Sequence, residues 1–334
     1  SVTVTEHSEG SSGTKYRDSA TALNDPTSVG TITHGDARLS RPFPSSRYAY
    51  YNEVSGAGSS TDYDSTTYTY TFYSSSWRPQ IIQTTNPTVT TTQNGSNSAT
   101  NAYAYLDSTG RTAFTQAEDG IYTYTAYNGN GQVETRVNDP DNGDSTINSA
   151  ASGFGLTMSA SGLDHWTTMV YDKQGRNTET TLPSGRKQIT HYTKLNDGRM
   201  ATVGSPKAGG SSTWYSPASY SVTNLAGKSE ASGVLSFSGG STGTGPDSWV
   251  DETSSSVVGA VASPAVLKQL STSEYDDAGT QAQSSNLYHV IPGSYPGSAG
   301  TNYDQTTFEY DDMGRRTRVE DATGTITKTT YDSQ

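Results

Sequence analysis

Apolar and polar positions alternate along this chain in short runs with a period of two. In Ile121-Tyr122-Thr123-Tyr124-Thr125-Ala126-Tyr127, Tyr122 and Tyr124 share one face and Thr123 and Thr125 the other. Tyr48-Ala49-Tyr50-Tyr51 and Tyr68-Thr69-Tyr70-Thr71-Phe72-Tyr73 read as aromatic strands, and Thr325–Tyr331 alternates more weakly. Tyr, Thr, Val and Ile suit a pleated, half-buried surface. Between the runs stand Asp-x-x-Gly tetrads, in which Asp binds its own backbone and Gly accepts positive φ. The pattern predicts an all-β chain with almost no helix; only Ala262–Leu270 reads as a short helical turn.

The strands and turns recur. Tyr171-Asp172-Lys173-Gln174-Gly175-Arg176 and Tyr310-Asp311-Asp312-Met313-Gly314-Arg315 are two copies of one phrase, and Tyr275-Asp276-Asp277-Ala278-Gly279-Thr280 is a third without the Arg. Looser copies are Tyr105-Leu106-Asp107-Ser108-Thr109-Gly110-Arg111 and Tyr127-Asn128-Gly129-Asn130-Gly131-Gln132. Tyr331-Asp332 opens another, and Tyr192 with Gly198 mark the second half of a pair. Tyr105 to Tyr127 is 22 residues; Tyr171 to Tyr192 and Tyr310 to Tyr331 are 21. A second Gly turn follows ten residues or so after the first, as in Gly110 then Gly120 and Gly175 then Gly185. Each period is therefore strand, turn, strand, turn, one supersecondary unit laid beside the next.

The phrase Tyr-Asp-x-x-Gly-Arg at this period resembles the YD repeat of the RHS family, which includes RHS toxins, toxin-complex shells and the teneurins. Clear copies cover about 102–137, 166–203, 271–283 and 308–334, under half of the chain. The resemblance implies a repetitive β-hairpin ribbon, a β-solenoid-like array that in the family spirals into a hollow shell. The family's containers end in an Asp-based self-cleaving segment and a toxin; nothing of that kind is read after Gln334, so cargo release is not expected.

Five segments follow. Residues 1–47 read as an extended N-terminal arm and donor strand, with Val2 and Val4 in alternation. Residues 48–101 hold diverged strands with Ser/Thr-rich loops. Residues 102–203 carry YD-type repeats with an acidic, Gly-rich break near 138–165. Residues 204–270 are diverged repeats and loops. Residues 271–334 carry the last repeats and end in an incomplete one.

Composition narrows the function. Of 334 residues 30% are hydrophobic, and 23 Tyr against 6 Phe put phenol rings where aliphatic side chains usually sit. That suits a thin β-structure better than a compact enzyme core. With no cysteine, disulfides are not available as staples. A net charge of −12 repels nucleic acid, and no apolar run spans a bilayer.

No catalytic constellation stands out. Gly239-Gly240-Ser241-Thr242-Gly243 matches G-x-S-x-G, but no helix signal follows it. The five histidines (His7, His34, His165, His191, His289) lack ligand spacing. Asp139, Asp141 and Asp144 are the one metal candidate, for Ca2+, against the preferred reading of an acidic turn without an ion. Asn94 heads the one open glycosylation sequon, and the hydroxyl runs Ser74, Ser75, Ser76, Thr84, Thr85 and Thr90, Thr91, Thr92 read equally as O-glycosylated positions or as solvent-facing strand residues. Trp77, Trp166, Trp214 and Trp249 are core residues or, if exposed, sugar-stacking platforms.

These readings converge on an extracellular or cell-surface structural protein without enzymatic activity or cofactor. Its expected form is a fibre subunit that self-associates head to tail, Val2 and Val4 pairing with the open edge near Tyr331 of the next copy. The alternatives are a carbohydrate-binding adhesin module and a shell fragment of a larger RHS-type toxin protein.

Overall fold

The Asp-x-x-Gly turns and alternating runs form an almost uninterrupted series of antiparallel hairpins in the computed structural model of the chain. The structure describes residues 2–8, 15–23, 44–50, 63–74, 76–237, 240–254, 256, 259–293 and 295–332; side-chain placement is described from Ser65 onward. The chain divides into two units, Ser1–Trp166 and Thr167–Gln334.

The first unit contains β1 (Val2–Ser8), β2 (Lys15–Leu23), β3 (Pro44–Tyr50), β4 (Tyr63–Phe72), β5 (Pro79–Thr85), β6 (Asn101–Leu106), β7 (Thr112–Gln116), β8 (Tyr122–Tyr127) and β9 (Val133–Asn138), then a helix, α1 (Ser145–Ser152). Each strand pairs with the next. The described parts of the N-terminal segment at 2–8 and 15–23 are thus not a free arm. Val2 and Val4 lie in β1 opposite Ala22 and Ala20 of β2, because the alternation that suits a donor strand suits an in-chain hairpin equally well.

The second unit contains the remainder of β10 (His165–Tyr171), then β11 (Asn177–Thr181), β12 (Lys187–Lys194), β13 (Met200–Lys207), β14 (Trp214–Tyr215), β15 (Ala218–Thr223), β16 (Ser229–Phe237), β17 (Ser241–Thr242), β18 (Ala265–Tyr275), β19 (Ala282–Tyr288), β20 (Tyr303–Tyr310), β21 (Arg316–Glu320) and β22 (Ile326–Lys328). The long strands form one ladder in which β13 pairs β15 and β16 pairs β18, while β14 and β17 pair beside it. The helical turn expected at 262–270 is instead the start of β18. Ala265, Leu267 and Leu270 are buried while Val266, Lys268 and Gln269 are exposed, and a bulge opposite Val234/Leu235 shifts the two-residue period enough to mimic a helical one.

Each unit builds its core on one face of its ladder. In the first, Tyr105, Phe114, Tyr124 and Val137 occupy facing positions on β6 to β9. The helix that follows covers them with Ile147 and Ala151, and Phe154 meets Tyr105 and Phe114 edge-on at 5.8 and 6.0 Å. Complete burial of side chains such as Phe114 and Ile147 stabilises by about 1.5–3 kcal/mol each. In the second, Val203, Tyr220, Val222, Leu235 and Leu270 form the sheet side, and Trp249 from the 238–264 connection caps it against Phe237 at 4.5 Å and Trp214 at 5.7 Å. Trp214 and Trp249 are therefore core and stack on no sugar.

Candidate functional site

The repeat turns are the most constructed feature of the chain. In the turn Asp107–Arg111, the Asp107 amide donates to Arg111 O at 2.8 Å and the Gly110 amide to Asp107 O at 2.9 Å. Gly110 sits at φ +88°, the left-handed conformation that closes a type I turn with a bulge and that a Cβ would strain. Asp107 Oδ1 accepts from the Thr109 and Arg111 amides, and Oδ2 from Arg111 Nε at 2.9 Å. Asp172 with Arg176 and Asp311 with Arg315 repeat this, the Nε–Oδ2 distances being 2.7 and 2.8 Å. Burial alone would raise the Asp107 carboxyl; the Thr109 hydroxyl and the Arg111 backbone and guanidinium outweigh it and hold the group at about 2. Asp172 and Asp311 are lowered by the corresponding contacts against the same opposing desolvation.

The oriented guanidinium then reaches the next repeat. Arg111 lies over the Tyr127 ring at 4.6 Å, Arg176 over Tyr192 at 4.2 Å and Arg315 over Tyr331 at 4.4 Å. Each tyrosine hydroxyl donates to the carbonyl of the residue after its arginine: Tyr127 to Thr112 at 3.0 Å, Tyr192 to Asn177 at 3.2 Å and Tyr331 to Arg316 at 3.0 Å. Turn, arginine, ring and carbonyl form a lock from one hairpin to the next. Each cation–π contact is worth about 0.5–1 kcal/mol at such half-exposed positions. Three of the turn arginines, Arg111, Arg176 and Arg315, bind their own turn's Asp and the next Tyr, and among the turn arginines Arg199 bridges outward, from Asp197 to Glu230.

The lock also corrects the repeat count. Leu106, not Tyr105, precedes Asp107, so the interval from Leu106 to Tyr127 is 21 residues, like the others. Tyr105 faces the core, 5% exposed. One further copy surfaces. Asn224-Leu225-Ala226-Gly227-Lys228 makes the same turn bonds, with Gly227 at φ +74° and Asn224 Oδ1 accepting from the Lys228 amide. Thr223 stands in its tyrosine position and donates to Met200 O at 3.5 Å, after Arg199. Tyr275 donates to Ser229 O, after Lys228, at 2.9 Å. Tyr310 donates to Ala282 O at 2.9 Å, after a turn that runs one residue longer, Asp276–Gln281. Asn128 replaces Asp in the turn that contains Gly131, accepting from the Asn130 and Gln132 amides.

The turns 107–111 and 128–132 in the first unit, and 172–176, 195–199, 224–228, 276–281 and 311–315 in the second, share one rim of each ladder with the 73–78 connection; turns with the same backbone bonds and a positive-φ Gly, 117–121, 182–186 and 321–325, stand on the opposite rim. Among the described residues, every connection of ten or more residues leaves from the opposite rim. These are 86–100 and 139–164 in the first unit, and 208–217, 238–264 and 289–302 in the second.

The remaining candidates do not converge. Asp144 caps α1 through the Thr146 and Ile147 amides, Asp141 accepts from the Gly143 amide at 2.7 Å and Asp139 from the Leu163 amide at 3.1 Å. Each carboxylate is thus spent on a separate backbone group, and no cluster of three metal-ligating side chains is found among the described residues. The helix they introduce was not expected, its signal being the Asp144 cap alone. Ser241 lies in β17 opposite Tyr215 and is followed by a single 3-10 turn, Pro246–Ser248, rather than the α-helix an elbow needs; Gly239 lies outside the described residues. His165, His191 and His289 stand on separate strands or loops, and His34 is outside the described residues.

Asn94 is exposed and left-handed at φ 61°, and Thr90, Thr91, Thr92 and Ser74 are exposed; Thr84, Thr85 and Ser76 are half-buried, and Ser75 lies outside the described residues. Trp77 packs edge-on against Phe72 at 6.3 Å, and Trp166 joins the first unit's core. Asp332 is exposed beside Tyr331, which closes the preceding lock. Among the described residues no helix is long and apolar enough to cross a membrane.

No protein-family model and no curated protein sequence matches this chain. Among solved structures it is similar to a chain of the TcdB2-TccC3 complex without the hypervariable C-terminal region, at 12% identity and TM-score 0.43, over 98% of this chain and 14% of that one. It is also similar to chains of TcdB2-TccC3-Cdc42 (12%, TM-score 0.41, covering 96% and 14%) and of the Photorhabdus luminescens Tc holotoxin pore (12%, TM-score 0.40, covering 96% and 14%). The chain thus spans about one-seventh of the length of these proteins.

Proposed function

We propose that this chain is a wall segment of a larger, extracellular RHS-type β-ribbon and that its task is structural. The observation that carries this is the lock. The same carboxylate, guanidinium, phenol and carbonyl join hairpin to hairpin at 107–127, 172–192 and 311–331, so the sheet extends by adding equivalent units. What further supports it is the assignment of the conspicuous carboxylates to turns and caps, which leaves none of them paired for acid–base chemistry. The second rim, which carries the long connections, would supply whatever differs between one stretch of wall and another.

The test is twofold. The reading frame around this segment should encode further Tyr-Asp-x-x-Gly-Arg copies, and purified chain should sediment as a discrete species at all concentrations. The fibre reading expects polymers that lengthen with concentration in the electron microscope. Seeing them would replace a wall with a homopolymer built on β1.

A further inference from the structure

We propose that the second unit carries a binding site for a carboxylated sugar, in the cleft between the 182–186 turn and the 208–217 connection. The cleft is open, about 570 Å3, and is lined by Ser184, Gly185, Arg186, Ala208, Gly209 and Tyr215. Three observations converge there.

The first is a ring held outward on a pinned backbone. Trp214 and Tyr215 are consecutive in β14, so their side chains point to opposite faces. Trp214 is buried against Trp249, and Tyr215 is left 38% exposed on the cleft side. Its backbone is fixed on both sides, since Ser205 Oγ donates to Tyr215 O at 3.1 Å and β14 pairs with β17. A rigid, half-exposed phenol is a stacking surface that costs little conformational entropy to use.

The second is the charge. Among the described residues Arg186, like Arg78, Arg136 and Arg316, has no ion pair, whereas Arg111, Arg176, Arg199, Arg315 and Arg318 each face a carboxylate; of the four, Arg186 is the one that lines the cleft. Arg186 is exposed at the end of its turn, and its fork of N–H donors fits a carboxylate in two parallel bonds.

The third is the floor. Gly209 lies so close to the turn that a Cβ there would stand 2.2 Å from Gly185 O, so only glycine lets the two segments that carry Arg186 and Tyr215 approach this closely. A flat apolar face beside an uncommitted guanidinium matches a pyranose that carries a carboxylate. The overall charge of −12 opposes such a ligand, but beyond roughly 8 Å that field is screened at physiological salt, whereas the guanidinium acts at contact.

The test is titration of the folded chain, followed by ligand-observed NMR, with a hexuronate disaccharide, a sialylated trisaccharide and neutral lactose. At least one carboxylated sugar should bind at least about tenfold more tightly than lactose, the discrimination expected of a charge-assisted bidentate contact. Arg186→Gln should abolish that preference, Tyr215→Ala should weaken both classes, and Lys173→Gln, an exposed cation on the opposite rim, should change neither. Which acid binds identifies the source of the carboxylate. The proposal falls if neither acid binds, or if the two acids bind Arg186→Gln as well as they bind the unaltered chain. Unchanged melting temperatures of the variants separate a lost contact from a lost fold.

Discussion

Tyr275 and Ser229 stand 46 residues apart and share the hydrogen bond that Tyr127 and Thr112 share across 15. The 238–264 connection lies between them, on the opposite rim. The lock spans one hairpin along the turn rim, so chain inserted at the far rim lengthens the loop without disturbing the bond. Tyr310 and Ala282 do the same across 28 residues.

If the bonds are equivalent, Tyr127→Phe and Tyr310→Phe should each lower unfolding stability by about 1 kcal/mol in urea, the usual net worth of one hydrogen bond. A much smaller loss at Tyr310 would mean that the 289–302 connection loosens its lock.

The inserts should accordingly be separable from the wall. Replacing 292–300 with a short Gly-containing turn should leave the Tyr310 bond, read as hydroxyl or amide exchange protection, in place. Disappearance of that protection would show that the insert, and not the turn rim, holds β19 to β20.

Acid should open the locks. The folded Asp107 carboxyl is held at about 2, below its unfolded value of 3.8, so its contribution is complete above that value and disappears as pH falls from about 4 to 2. Asp172 and Asp311 are lowered too and add to the same acid loss. Asp107→Asn should flatten part of the decline in melting temperature over this window, and an unchanged slope there would refute the assignment.

The segments that fold back from the far rim should matter more than any single lock. Ile147→Ala and Trp249→Ala remove side chains that are fully buried, and should cost about 2–5 and 3–5 kcal/mol respectively in chemical denaturation. Losses below 1 kcal/mol would mean that the sheet faces need no cover.

Gly175→Ala tests the turn itself. At φ +82° a Cβ is strained, and about 1 kcal/mol should be lost without change in the secondary-structure spectrum.

Alternation and turn chemistry are local properties, which is why the all-β ladder and the five clearest turns could be read from residues such as Tyr122, Tyr124, Asp172 and Gly175. The 21-residue spacing was legible for the same reason, since a tyrosine and the arginine that it covers stand at a constant separation wherever no chain intervenes. What tertiary structure alone decided is where distant residues meet. Thr223 and Asn224 fill a Tyr-Asp position with neither residue, and the Asn224…Gly227 pair that remains is too common a turn signal to mark the copy without the backbone hydrogen bonds around it. Tyr105 went to the core while Leu106 took the position before Asp107, because the bulge that precedes Tyr127, Tyr171 and Tyr310 falls here between Tyr105 and Leu106, so that the residue after it, whatever its type, takes the lock position. Among the described residues the gathering of long connections on one rim follows from antiparallel pairing, which sends every second connection to the same side, and from locks on the turn rim that insertions on the far side leave undisturbed.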